Sequence, residues 1–272
     1  MTTQINVLIA EMPAQVPAGT TVFQLRDNRR PEADIVVYNG AAITEDRPLR
    51  EGDAVVFIRR GDVPGPHEFQ AFMAARHTPG VQEILRRATV GIAGLGGLGS
   101  AVAVALARLG VGTMVLADFD VVEPTNLNRQ QYFVDQLGLL KTEALLDTLT
   151  RINPYGCYET HAVKLTPENI PVLFKTCDVI VEAFDLEEEK AMLVETVLNC
   201  FPGVPMVAAS GMAGFGSANT IRSTKIGNRL YVCGDSVSAS EPGHGLMAPR
   251  VGVTAHHQAN LVLRLLLGET EA

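Results

Sequence analysis

The run VGIAGLGGLGSAVAVALARLG, residues 90–110, constrains this chain more than any other stretch. A short apolar run meets a cluster of glycines and passes into a helix-like run. Gly94, Gly96 and Gly99 satisfy G-x-G-x-x-G, and Asp118 stands at the end of the next strand-like run. Glycines so placed let the backbone approach a phosphate. The helix N-terminus favours the anion, and the acid accepts from ribose hydroxyls. Taken alone, this fingerprint points to NAD.

The following segment shifts the balance. It reads DFDVVEPTNLNRQQYF, residues 118–133, and Lys141 follows in GLLKTEALL. A dinucleotide pyrophosphate is largely satisfied by backbone N–H groups and the helix dipole. A triphosphate carries more negative charge and calls for fixed cations. Arg129 offers a bidentate clamp and Lys141 a point charge. Asn126 offers a neutral amide to a phosphate oxygen or to the backbone. This pattern favours ATP.

The rest of the chain from about residue 70 alternates strand and helix. ATVGIAGL, TMVLADFD, CYETHAVKL, CDVIVEAFD and VPMVAAS read as strands. SAVAVALARLG, LLKTEALLDTLTRI, TPENIPVLFKT, LEEEKAMLVETVLNC and VGVTAHHQANLVLRLLLG read as helices, the last closed by Gly268. Strands apolar on both faces predict a doubly wound, Rossmann-like α/β domain.

Residues 1–61 are different. QINVLIAE reads as a strand, PAQVPAGT as a turn and short strand, and TTVFQLRD as a short helix started by Thr20 or Thr21. DIVVYNG is a strand ending in an Asn-Gly turn, and REGDAVVFIRRG a turn and last strand. Two strands, a helix and two strands predict a small sheet curled over one helix. DVPGPHEF, residues 62–69, reads as a linker from its Pro and Gly content. The expected domains are therefore 1–61 and 70–272.

Composition narrows the function classes. The 272 residues are 47% hydrophobic and 19% charged, enough for a real core. The net charge of −8 argues against a nucleic-acid or anionic-membrane surface. The N-terminus lacks the pattern of a signal peptide, and no apolar run is long enough to span a bilayer, so a cytoplasmic protein is expected. Cys157, Cys177, Cys200 and Cys233 form no C-x-x-C pair, so no zinc is expected.

GLGGLGS, then D-x-D with N-L-N-R-Q, then a Lys opening the next helix, resembles the ThiF/MoeB adenylyltransferase family, relatives of the ubiquitin-activating enzymes. SGMAGFGS and EPGHGLMAPRVGV…HHQAN resemble its shorter, zinc-less ThiF branch. Residues 1–61 resemble the ubiquitin-like β-grasp fold of ThiS-type sulfur carriers, including the Gly52-Asp53 turn before the last strand. The resemblance implies that Gly94, Gly96, Gly97 and Gly99 shape the phosphate loop and that Asp118 binds ribose. It implies that Asn126, Arg129, Gln130 and Lys141 face the phosphates of ATP and that Asp185 associates with Mg²⁺. Lys190 falls where the family often has a basic residue. Arg76 falls near an arginine that reaches the neighbouring subunit's ATP, which implies a homodimer.

The reaction so implied is adenylation of the C-terminal glycine carboxylate of a ThiS-type sulfur carrier, for thiamine biosynthesis. Activation of a molybdopterin or cysteine-pathway carrier uses the same chemistry. An NAD(P)-dependent oxidoreductase explains the glycines and Asp118 but not Asn126, Arg129 and Lys141 together. A non-catalytic ATP-binding protein regulated by the fused module is the third class. ThiS-type carriers end in a free Gly-Gly tail, whereas here Gly61 runs straight into Asp62. A docking, dimer-forming or vestigial module is the expected role of residues 1–61. The two Gly-rich loops are candidates to line a groove for the carrier tail. Cys233 is expected to be a buried, inert thiol rather than an acceptor of the carrier, and His256 and His257 to be structural.

Overall fold

The structure is a computed structural model and describes residues 3–272. The chain divides into two compact units, Met1–Pro79 and Gly80–Ala272.

In the first unit, β1 (Gln4–Ile9) and β2 (Met12–Pro17) form a hairpin, followed by α1 (Val22–Arg29), β3 (Ile35–Tyr38), β4 (Ala41–Ile43), β5 (Ala54–Ile58) and α2 (Pro66–Ala74). The sheet order is β2-β1-β5-β3-β4. Val7, Val16, Val36, Val55 and Phe57 pack against Val22 and Leu25 of α1, forming a β-grasp core. Thr21 starts α1 through a capping box with Gln24: its hydroxyl accepts from Gln24 N at 3.2 Å and Gln24 Oε1 accepts from Thr21 N at 3.0 Å. Asn39 (φ 49°) and Gly40 (φ 83°) make the two-residue turn that the Asn-Gly pair predicts. That turn feeds β4, a fifth strand that the sequence pattern does not give, because three residues are too few to show alternation.

The segment 62–69 also differs from the expected linker. Pro66 occupies the first turn of α2, where its missing N–H costs nothing, so four of the eight residues are helical. Arg30 Nη1 donates to Phe57 O at 3.2 Å and Nη2 to Glu68 Oε2 at 3.3 Å, which ties α2 to the β-grasp unit.

The second unit runs α3 (Val81–Arg87), β6 (Thr89–Ala93), α4 (Gly97–Leu109), β7 (Thr113–Ala117), α5 (Lys141–Ile152), β8 (Cys157–His161), α6 (Ile170–Leu173), β9 (Val179–Glu182), α7 (Glu187–Cys200), β10 (Met206–Ala209), β11 (Arg222–Ile226), β12 (Leu230–Gly234) and α8 (Ala248–Leu266). The seven-stranded sheet has the order β11-β12-β10-β9-β6-β7-β8 and is parallel except for β11. β9 and β10 are buried along their whole length, as strands covered on both faces must be. Val90, Ile92, Val179 and Val181 face a core completed by Val102 and Leu106 of α4, Leu145 of α5 and Val262 of α8. Val115, Ile180 and Met206 face the other core, closed by Ile170, Leu193 and Val197.

The order of strands reverses between β6 and β9. Ligands of such sheets sit in the crevice beyond the strand C-termini at this point. Two features depart from the pattern read above. The helix expected in TPENIPVLFKT is one turn, with Pro171 in its first turn. The β11–β12 hairpin is unanticipated, because its edge strand RSTKI is half exposed and largely polar. Among the described residues, no helix is long and apolar enough to cross a membrane.

Candidate functional site

A cavity of about 600 Å³ opens at the C-terminal ends of β6, β7, β9 and β10. Its floor is the glycine turn. Gly94 adopts φ 89°, and a Cβ there would lie 2.9 Å from Ala183 O. A Cβ on Gly99 would lie 1.9 Å from Gly94 O, so the first turn of α4 closes onto the strand end only without a side chain. Gly99 thus acts from behind the wall, while Gly94, Gly96 and Gly97 line the cavity. The N-terminus of α4 presents its unsatisfied N–H groups here.

Asp118 follows the last residue of β7 and is buried. Its Oδ2 accepts from Leu95 N at 2.7 Å and its Oδ1 from Asp120 N at 2.8 Å. Burial pushes its carboxyl up despite the nearby Lys141 and these donors. Lys141 opens α5, and its Nζ lies 2.7 Å from Asp120 Oδ2 and 3.9 Å from Asp118 Oδ2. Arg129 Nη1 donates only to neutral oxygens, Thr125 O at 3.1 Å and Asn128 Oδ1 at 2.9 Å. Gln130 is 8% exposed, lines the cavity, and its Oε1 has no partner. Asp185 also lines the cavity and is exposed, three residues past β9.

Asn126 lies outside the cavity lining. It is buried in a 3₁₀ turn, where Oδ1 accepts from Glu123 N at 3.1 Å. Its carbonyl accepts from Arg129 N at 3.1 Å and Gln130 N at 2.9 Å. It shapes the turn that delivers those two side chains. Arg76 lies exposed in the first unit, just past α2.

Lys190 is no plain surface lysine. Its Nζ sits 2.8 Å from Glu182 Oε1 and donates to Ala209 O at 3.2 Å. Glu182, 1% exposed, also accepts from Phe184 N at 2.7 Å and Ala209 N at 3.2 Å. This pair joins the ends of β9 and β10 to α7 beside the cavity. Lys164 pairs with Glu189 at 3.2 Å. Among the described residues, four cations line the cavity; Lys141, Lys164 and Lys190 are each paired with a carboxylate, and Arg129 is the one without.

Of the Gly-rich loops, Ser210, Gly211 and Met212 of the first and Leu246 of the second line the cavity. Asp235 and Arg250 form a close ion pair behind them, and Arg250 also donates to Gly216 O at 2.9 Å and Ser217 O at 2.7 Å. Burial acts against the Asp235 charge. Donors from Ser238, Val237 and Arg250 outweigh it and hold the carboxyl well below the usual range. Cys233 is buried and its thiol is pushed up to about 11 by burial. His257 Nδ1 lies 3.1 Å from Ser223 Oγ and His256 Nδ1 2.8 Å from Gly252 O, both outside the cavity.

Asp185 suits a divalent cation held jointly with phosphate oxygens, since magnesium commonly takes one or two carboxylates. Among the described residues no group of three His, Cys, Asp or Glu side chains is placed to hold a metal by itself.

Residues 69–272 match the ThiF family and residues 5–61 the ThiS-like ubiquitin family. The adenylyltransferase and sulfurtransferase uba4 of Emericella nidulans is 32% identical over 202 residues, covering 69% of this chain and 41% of that protein. The UBA4 protein of Eremothecium gossypii is 31% identical over 222 residues, covering 76% of this chain and 49% of that one. The chain therefore spans less than half the length of these curated relatives. Among solved structures, E. coli tRNA N6-threonylcarbamoyladenosine dehydratase, TcdA, in complex with ATP superposes with a TM-score of 0.68 at 22% identity, over 76% of this chain and 98% of that one. At that identity the likeness is one of fold. By its sequence match over three quarters of its length, this chain belongs to the ThiF family.

Proposed function

We propose that the protein adenylates the C-terminal glycine carboxylate of a small ubiquitin-like sulfur carrier with ATP. The observation that carries this reading is the charge left uncommitted, among the described residues, in one cavity: the free N–H of Gly96, the cation Arg129 without a carboxylate partner and the open carboxylate Asp185. The TcdA structure in complex with ATP has the same fold.

In this reading the α4 N-terminus and Gly96 hold a phosphate, and Asp118 accepts from the ribose. A carrier carboxylate oxygen attacks the α-phosphorus, the bond to the bridging oxygen breaks, and pyrophosphate leaves. Arg129 balances charge growing on the β,γ-phosphates, as does Lys141 on exchanging Asp120 for phosphate. Such fixed charges act most strongly where water is excluded. Mg²⁺, held at Asp185, would supply charge neutralisation between phosphates. No serine or cysteine nucleophile is required, which agrees with the high thiol pKa of Cys233.

The carrier proposed is ThiS-type, and its product would serve thiamine biosynthesis. The support is the pairing of a ThiF-family domain with a ThiS-like module in one chain. A homodimer completed by Arg76 belongs to the same proposal. ATP–pyrophosphate exchange with ThiS-type, molybdopterin-pathway and cysteine-pathway carriers tests it. Exchange with the first alone supports the thiamine reading, and exchange with another carrier reassigns the pathway. Absence of exchange with every carrier, despite tight ATP binding, refutes the enzyme reading. Binding of NAD in preference to ATP refutes the nucleotide assignment.

A further inference from the structure

We propose that Tyr132 is a positioning residue for the phosphate turn, its hydroxyl holding the Leu95 carbonyl so that the Gly96 N–H faces the cavity. This rests on the nucleotide reading above and adds a residue to it.

The Leu95 backbone is held at both of its polar atoms. Its N–H donates to Asp118 Oδ2 at 2.7 Å, and its C=O accepts from the Tyr132 hydroxyl at 2.8 Å. Tyr132 is 6% exposed, so this bond is shielded from water. In a trans peptide the C=O and the following N–H point in opposite directions. Fixing the Leu95 carbonyl therefore fixes the Gly96 N–H. Among the described residues that N–H has no hydrogen-bond acceptor, and Gly96 lines the cavity.

The lock is needed because of the glycines. Without a Cβ, Gly96 on the far side of this peptide can rotate at little cost. The flipped peptide would turn the Leu95 carbonyl, an acceptor, toward the place a phosphate would take. Two further bonds hold the same strip of chain to the turn. Gln131 N donates to Ser100 Oγ at 3.1 Å, and Ser100 Oγ donates to Gly96 O at 2.6 Å. Burial, with Asp118 and Asp120 nearby, pushes the Tyr132 phenol up, so it stays a donor across the neutral range. Sequence reading passes over Tyr132, since an aromatic beside a polar loop looks like ordinary packing.

The test is calorimetric titration of the full chain with Mg-ATP and, separately, with adenosine. Tyr132→Phe is expected to weaken Mg-ATP about 10–100-fold, the scale of one charge-assisted hydrogen bond, and adenosine less than twofold. Replacing Tyr132 by 3-fluorotyrosine, which keeps the hydroxyl, is expected to leave both near wild type. Retained adenosine binding shows that Tyr132→Phe is folded. Unchanged Mg-ATP affinity in Tyr132→Phe, or equal losses for both ligands, overturns the positioning role and leaves the nucleotide reading standing. A wild-type protein that binds neither ligand overturns both.

Discussion

Arg129→Ala removes the one cavity-lining cation that, among the described residues, no carboxylate neutralises, so its effect falls on the ligand rather than on the fold. Arg129 Nη1 touches only Thr125 O and Asn128 Oδ1, in exposed positions. Losing two such bonds near water changes stability by about 0.5 kcal/mol or less. A guanidinium meeting phosphate oxygens in a cleft makes charge-assisted, two-pronged hydrogen bonds worth about 2–3 kcal/mol. At roughly 1.4 kcal/mol per factor of ten, kcat/KM for ATP should fall about 30–150-fold. Pyrophosphate exchange at fixed carrier concentration reads this, with thermal unfolding run beside it. Arg129→Lys keeps the charge and loses the fork, so it should recover part of the activity. Exchange within threefold of wild type in Arg129→Ala would refute the assignment of Arg129 to the phosphates. A large fall in Tm with the loss of exchange would refute the claim that the fold does not need it.

Three further outcomes follow from the packing. Gly99→Ala should destabilise by about 1–3 kcal/mol, because its Cβ would lie 1.9 Å from Gly94 O; Gly252→Ala, in α8 with open space around it, should be neutral or slightly stabilising in the same melting assay. Cys233, its pKa about 11, should resist alkylation at pH 8 while exposed Cys157 and Cys200 react, and Cys233→Ala should retain exchange; rapid loss of activity on labelling Cys233 would contradict this. Asp235 has a folded pKa below its unfolded value of about 4, so its contribution is present above pH ~4 and is lost as pH falls below that value. Asp235→Asn should therefore lower Tm at pH 7 and flatten its decline toward pH 3, and an unchanged pH profile would refute the linkage.

The glycine turn at the cavity was legible because backbone geometry dictates it. A strand that turns into a helix over Gly94 and Gly99 needs those glycines for steric reasons, and their spacing shows in the sequence. Asn126 was read as an amide for either a phosphate oxygen or the backbone, and of the two the structure shows the backbone, at Glu123 N. The Glu182–Lys190 pair escaped because it joins a strand end to a helix across seven intervening residues and a turn, so neither element's own period reaches from one residue to the other. Arg250 escaped for a similar reason: its partners lie on loops brought together by the β11–β12 hairpin, itself unread. Local periodicity gives elements, and it is silent on pairs made by the sheet's crossover connections.

The fused module poses a constraint of its own on the chemistry. The ThiS-like match ends at residue 61, where a carrier would present its terminal carboxylate. In this chain Gly61 adopts φ 85° and Asp62 N donates back to Arg59 O at 3.2 Å, so the segment turns instead of extending. α2 then returns to the β-grasp unit, and Arg30 bridges Phe57 O and Glu68. The Gly61 carbonyl is an amide, with its lone-pair density shared with nitrogen, and lacks the free carboxylate oxygen that attack on an α-phosphorus needs. In the reaction proposed above, Gly61 of this chain therefore does not serve as the nucleophile. Under the proposed function, a ThiS-like module whose tail is tied down in this way suits docking of a partner better than turnover as a substrate.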